Sequence, residues 1–164
     1  MLFRSAIKAN KQPKWPKSSN LRAEEGNSGV TARVKQTEGA IGYVEYGYAS
    51  QNSLPMVGLQ NKEKKYVKPS PESGKATLAA GKLPNDFRLF FKDPEGPDAY
   101  PIVSYTWLLV RQKYDDAKVA EKIKGLVRYC LSEEAQGMSV GEGYIPLPKE
   151  VSDKVLKAVE TIKP

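Results

Sequence analysis

The sequence predicts an α/β fold, helices layered on sheet, on three observations. Stretches of strand character at residues 40–46, 56–60 and 100–112 alternate with stretches of helical spacing. The longest of them, "YPIVSYTWLLVRQ", is apolar on both faces around Trp107, Leu108, Leu109 and Val110, as a central strand covered on both sides must be. Two amphipathic helices then close the chain.

Taken in order, residues 1–22 carry only positive charges and two prolines, the signature of a basic loop or arm. "EEGNSGVTARVKQTEG" has helix punctuation: Asn27 or Ser28 can cap, Val30 and Val34 share a face, and Gly39 follows the end. The strand at 40–46 places Ile41, Tyr43 and Glu45 on one side and Gly42, Val44 and Tyr46 on the other. A second strand is expected at 56–60, a charged turn at "NKEKK", and a helix over 71–80 with Pro71 in its first turn.

"DPEGP", residues 93–97, breaks the chain before the long apolar strand. The first closing helix starts at Asp115 or Asp116, with Val119, Ile123, Leu126, Val127 and Leu131 on its face and Gly137 beyond its end. In the second, Pro148 stands at the start and Val151, Val155 and Val159 form one stripe.

Composition narrows the chemistry. A net charge of +7 over 164 residues makes an anionic partner worth testing. There is no histidine, which removes the commonest general base and the commonest metal ligand. The single cysteine, Cys130, can form neither an internal disulfide nor a thiolate-rich metal site, and its spacing from Leu126, Val127 and Leu131 reads as a small buried hydrophobe. No metal, cofactor or catalytic residue is expected. No apolar run reaches the roughly 20 residues of a membrane span, and the N-terminal stretch lacks the apolar core of a secretory signal.

Three motifs invite a binding function. "GAIGYVEYGYA" approximates the aromatic octapeptide of an RNA recognition motif, so a basic RNA-binding domain using residues 40–48 is the alternative reading. Gly39 stands where a basic residue belongs, Ala40 where the glycine belongs and Ile41 where the first stacking ring belongs, which argues against it. "SPESGKAT" fails as a phosphate loop, with Pro69 and Ala76 in place of the required glycine and hydroxyl. In "EGNSGV" the backbone amides of Asn27, Ser28 and Gly29 at a helix start form an anion-binding candidate; an ordinary helix cap is the plainer account. Glu24, Glu25, Asp93, Glu95 and Asp98 are spread over loops without the spacing of an acid–base pair, and read as solvated charge.

Three blocks, "KWP…EGNSGVTARVKQTEGAIGYVEYGYASQNSLP", "DAYPIVSYTWLLV" and "EGYIPLPKEVSDKVLKAV", resemble in order and spacing the substrate-binding proteins of bacterial phosphate ABC transporters. That resemblance covers about Trp15 to Ile162. It implies a partial type II periplasmic-binding-protein fold, an incomplete two-lobe α/β architecture. Residues 23–98 would be the later part of the second lobe. Residues 99–164 would be a crossing strand and C-terminal helices returning to the first lobe, with 1–22 a divergent segment. It further implies a non-enzymatic protein that captures inorganic phosphate at the periplasmic or extracellular face of the membrane and delivers it to permease subunits, with no nucleic-acid partner. The family's Arg-Ser-Asp-Gly-Ser-Gly-Thr type phosphate motif is absent, since Arg4 and Ser5 continue as "RSAIKAN". None of the family's ligands is therefore carried over, and the expectation is a C-terminal part unable to bind phosphate alone. It would also lack the strands that cover Trp107 to Val110. In this reading Gly39 and Gly42 serve a turn and close packing, Ile41 and Val44 are core, and Tyr43, Tyr46 and Tyr48 pack at the lobe junction.

Overall fold

In the computed structural model, which describes residues 18–164, the first regular element is helix α1, Gly26–Gln36. Gly26 turns the chain into the helix at φ +63°, a conformation open to glycine and strained for other residues. The N-cap is Glu25, with no side-chain cap bond, so Asn27 and Ser28 lie inside the first turn rather than capping it. Arg33 and Lys35 in the last turn complement the helix dipole, and Gly39 at φ +72° reverses the chain beyond the end, as expected. Gly42 then returns against α1. A Cβ there would come within 2.9 Å of both Val30 Cγ1 and Val34 Cγ2, so a bare backbone is needed at this point.

Residues 40–45 are not a strand, and Tyr46 opens a second helix, α2, Tyr46–Gln51. A strand persists only with a ladder partner, and among the described residues none pairs with this stretch. Ile41 (84% exposed) and Tyr43 (82%) are consequently surface residues, and the expectation of a buried strand is corrected for both. These residues close the first of two compact units, Met1–Tyr43; Val44–Pro164 is the second. Most of the expected N-terminal arm lies outside the described residues.

In the second unit the strand expected over 56–60 shortens to β1, Leu59–Gln60, paired antiparallel with β2, Tyr66–Val67, in the register Leu59 to Val67 and Gln60 to Tyr66. The charged turn between them is held by Asn61, 3% exposed, whose Oδ1 accepts from the Lys65 amide at 3.0 Å. Helix α3, Pro71–Ala79, follows the predicted span closely. Its start combines Pro71 with a reciprocal capping box in which the Ser70 and Ser73 hydroxyls each accept from the other's amide. Thr77, fully buried on α3, donates to the Tyr100 carbonyl at 2.7 Å and anchors the next segment.

That segment, 100–112, forms no continuous strand. It makes one antiparallel bridge, Ser104 with Phe90, and its neighbour Lys113 makes one parallel bridge with Lys163. The central, doubly covered strand is thus corrected: Leu108 (63%) and Leu109 (93%) face solvent.

Helices α4, Ala117–Cys130, α5, Glu133–Gly141, and α6, Lys149–Glu160, complete the chain. Asp116 caps α4, accepting from the Lys118 amide at 2.8 Å. The core joins Ala120 and Val127 of α4 to Val159 of α6 and to Ile162, flanked by Ile123, Leu131 and Val155. Val119 and Leu126, expected on this face, are exposed. The apolar stripe of α4 is wider than α6 can cover, and only its α6-facing side is buried. Lys124 lies on that side, nearly buried; its stem packs while Nζ meets Glu121 at 3.2 Å. Two further corrections follow from the same geometry. Cys130, the last residue of α4, is exposed, and Gly137 sits inside α5, a helix that Ser132 caps through the Ala135 amide.

Candidate anion site

The first turn of α1 is where the sequence places its anion candidate, and the structure divides the three residues. The Gly29 amide donates to the Glu25 carbonyl at 3.2 Å and is committed to the helix. Asn27 and Ser28 lie within the first turn of the helix. A Cβ on Gly29 would stand 3.3 Å from Glu24 Cβ, so this glycine lets the preceding chain lie close to the helix.

Electrostatics at this turn oppose a strong anion site. Glu24 and Glu25 immediately precede the helix, where their charges already complement the positive end of its dipole. The nearby cation, Arg33, is engaged: its Nε lies 2.6 Å from Glu24 Oε1. Thr31, 4% exposed, has a hydroxyl with no hydrogen-bond partner. The turn thus presents the positive end of a helix dipole beside two glutamates, with Arg33 already paired.

The other motifs resolve as structural. Gly74 in "SPESGKAT" lies against Ile145, whose side chain would clash with any added Cβ. It serves helix packing, in keeping with the failed phosphate-loop pattern. Of the loop carboxylates, Glu24 and Glu95 are held in ion pairs. Glu95 meets Lys62 at 2.8 Å, and this contact holds the Glu95 carboxyl below its ordinary range while raising Lys62. Glu63 accepts from the Gly96 amide at 3.1 Å. Among the described residues no cluster of acidic or cysteine side chains could hold a metal ion, and no helix is long and apolar enough to cross a membrane. The aromatic stretch 40–48 offers no sheet on which bases could stack, so the RNA-binding alternative has no platform here.

One organising residue escaped the sequence reading. Asn61 Nδ2 donates to the carbonyls of Gly96 (3.2 Å), Pro97 (2.9 Å) and Ala99 (3.5 Å), tying the hairpin turn to the loop that feeds 100–112. An asparagine before a lysine-rich turn carries no sequence signal for a partner 35 residues away.

Comparison with known proteins fits this picture of a binding-protein segment. A family model described as a PBP superfamily domain matches residues 1–134. The chain is 36% identical over 171 residues to the phosphate-binding protein PstS of Methanocaldococcus jannaschii, covering 96% of this chain and 44% of that protein. It is 28% identical to the PstS of Pasteurella multocida, over 93% of this chain and 44% of the relative. It is 33% identical to the PstS of Xylella fastidiosa, over 79% and 36% respectively. The chain thus spans less than half the length of these relatives.

Proposed function

Since the chain belongs to the PBP superfamily, we propose that it supplies part of a protein that captures inorganic phosphate for an ABC-type importer. The observation that carries this reading is the similarity to phosphate-binding proteins along almost the whole chain. Capture rather than chemistry also agrees with a chain lacking histidine. In this reading the whole protein works at the periplasmic or extracellular face of the membrane and passes phosphate to permease subunits.

This chain alone binds phosphate poorly, for a physical reason. Holding a dehydrated phosphate requires many convergent donors with matched charge. Here the first turn of α1, with Asn27, Ser28 and Gly29, adds little, because the Gly29 amide is committed to the helix and two glutamates precede the turn. The net charge of +7 attracts anions to the surface without fixing one.

The test is a chimera in which this chain replaces the matching stretch of the Methanocaldococcus jannaschii relative, titrated calorimetrically with inorganic phosphate beside the chain alone. Saturable micromolar binding is expected from the chimera and none from the chain. A folded chimera that ignores phosphate sinks the reading, and micromolar binding by the chain alone overturns its incompleteness.

A further inference from the structure

Residues 81–91 form a loop closed on itself. A Cβ on Gly81 would stand 2.5 Å from Phe91 Cε1 and 2.7 Å from Leu89 Cδ2, so the two ends touch across a bare backbone. Compact surface loops with their ends together are frequently functional. Within this one stands Phe87, at φ +60°. A bulky side chain in the left-handed region is strained, and it persists there only where its surroundings hold it.

The hold comes from two flanks. On one, Trp107 Nε1 donates to the Phe87 carbonyl at 2.7 Å, and its ring lies 5.2 Å from that of Phe90. On the other, Lys154 of α6 donates through Nζ to the carbonyls of Leu83 at 2.7 Å and Pro84 at 3.2 Å. The same Nζ lies 5.9 Å from the centre of the Phe87 ring. Among the described residues no hydrogen bond joins Trp107 to Lys154; both act on the loop.

What the flanks fasten is otherwise loose. Among the described residues, no backbone–backbone hydrogen bond involves any residue from Thr106 to Val110. That stretch is tied to the loop through the Trp107 side chain, and the loop to α6 through Lys154. The far end of the loop is fixed separately, by the Phe90–Ser104 bridge and by the Phe91 ring 5.8 Å from that of Tyr105. If either flank lets go, strain drives Phe87 out of the left-handed region. The turn then reorients, and its carbonyls leave the other flank as well.

We propose that residues 82–88 are a strained latch, closed in this structure, which fastens the 106–110 stretch to α6 and opens as one unit. Its bistable element is the Phe87 backbone, left-handed while both flanks are engaged and relaxed once one is lost. Nothing in the latch calls on phosphate, so it stands or falls apart from the capture reading.

Each flank can be read from the other. In a Trp15→Phe background Trp107 is the one remaining indole, and acrylamide quenching of its fluorescence reports its flank. Lys154→Met keeps the apolar stem and removes the donors; it should raise the quenching constant about twofold, although Lys154 is not bonded to Trp107. Trp107→Phe keeps a ring and removes the donor. Acetylation of Lys154 by acetic anhydride, followed by mass spectrometry, should then run about fivefold faster, since coupling is reciprocal. Lys149→Met, on the same helix at a side chain 88% exposed, should leave Trp107 quenching unchanged. Circular dichroism should match the parent chain throughout. Quenching indifferent to Lys154→Met, Lys154 labelling indifferent to Trp107→Phe, or quenching altered by Lys149→Met each overturns the latch. Should Lys154→Met fail to fold, the labelling of Lys154 in Trp107→Phe decides alone.

Discussion

Gly47 of α2 and Gly143, two residues past α5, meet backbone to backbone. A Cβ on Gly143 would stand 2.8 Å from the Gly47 nitrogen, and one on Gly47 would stand 2.5 Å from the Glu142 carbonyl oxygen. Gly143 is also at φ +84°. Two glycines nearly a hundred positions apart therefore allow an approach that no pair of side chains would permit.

Gly143→Ala combines a left-handed conformation with a clash against backbone, and should destabilise the chain by about 2–4 kcal/mol. Gly137→Ala, inside α5 with open space around it, should instead stabilise by about 0.5–1 kcal/mol. Denaturant unfolding of the two variants checks the contrast; equal effects would show that the close approach does not matter.

Asn61→Ala leaves three carbonyls and the Lys65 amide without their buried partner. A loss of about 2–3 kcal/mol is expected. The turn at 61–65 and the loop at 93–97 should become protease-sensitive together, since the same side chain holds both. Cleavage in one alone would contradict that shared role.

Between α4 and α6, magnitude separates packing from charge. Arg128 forks onto both Glu160 oxygens at 2.7 Å, but about half of each side chain is exposed. Arg128→Ala should cost little, and less still in high salt. Val127→Ala, in the core, should cost about 2 kcal/mol independently of salt. Unfolding in low and high salt distinguishes the two.

With no histidine side chain, stability should be level from about pH 6 to 9. On the acid side, Asp86 is held below its ordinary 3.8 by the Arg88 amide and guanidinium, and Glu95 below 4.5 by Lys62. The unfolded chain binds their protons more readily. Their contribution is therefore present above those values and lost as the pH falls through the folded ones. Both groups are exposed, so the effect is small. On the alkaline side, burial raises Tyr100 and Tyr105 above 10.0. The folded chain keeps protons that the unfolded chain releases, and stability falls as the pH climbs past 10.0. Denaturation midpoints across this range would contradict the account if they stepped near pH 6.5.

What the sequence made legible was local. Pro71 marks the start of α3, Asp116 that of α4, and Gly39 the turn after α1, because such helix-end signals act over three or four residues. What it misjudged depended on partners. Alternation in "AIGYVEY" reads as a strand only where a neighbouring strand exists, and among the described residues it has none. The face of α4 was misjudged because periodicity shows which side is apolar, while only packing on α6 decides how much of that side is covered. The anion candidate was visible as a glycine-rich helix start; the committed Gly29 amide and the engaged Arg33 required coordinates.

The return of Gly42 onto Val30 and Val34 has a kinetic consequence. These contacts span only 12 and 8 positions along the chain, whereas Lys154 Nζ reaches back 71 positions to the Leu83 carbonyl. Closing a loop of about 10 residues takes on the order of 100 ns or less, and short-range closure costs little chain entropy. The α1 turn-back is therefore expected to form early in folding, with amide protection appearing there before it reaches α6 in a pulsed hydrogen-exchange experiment.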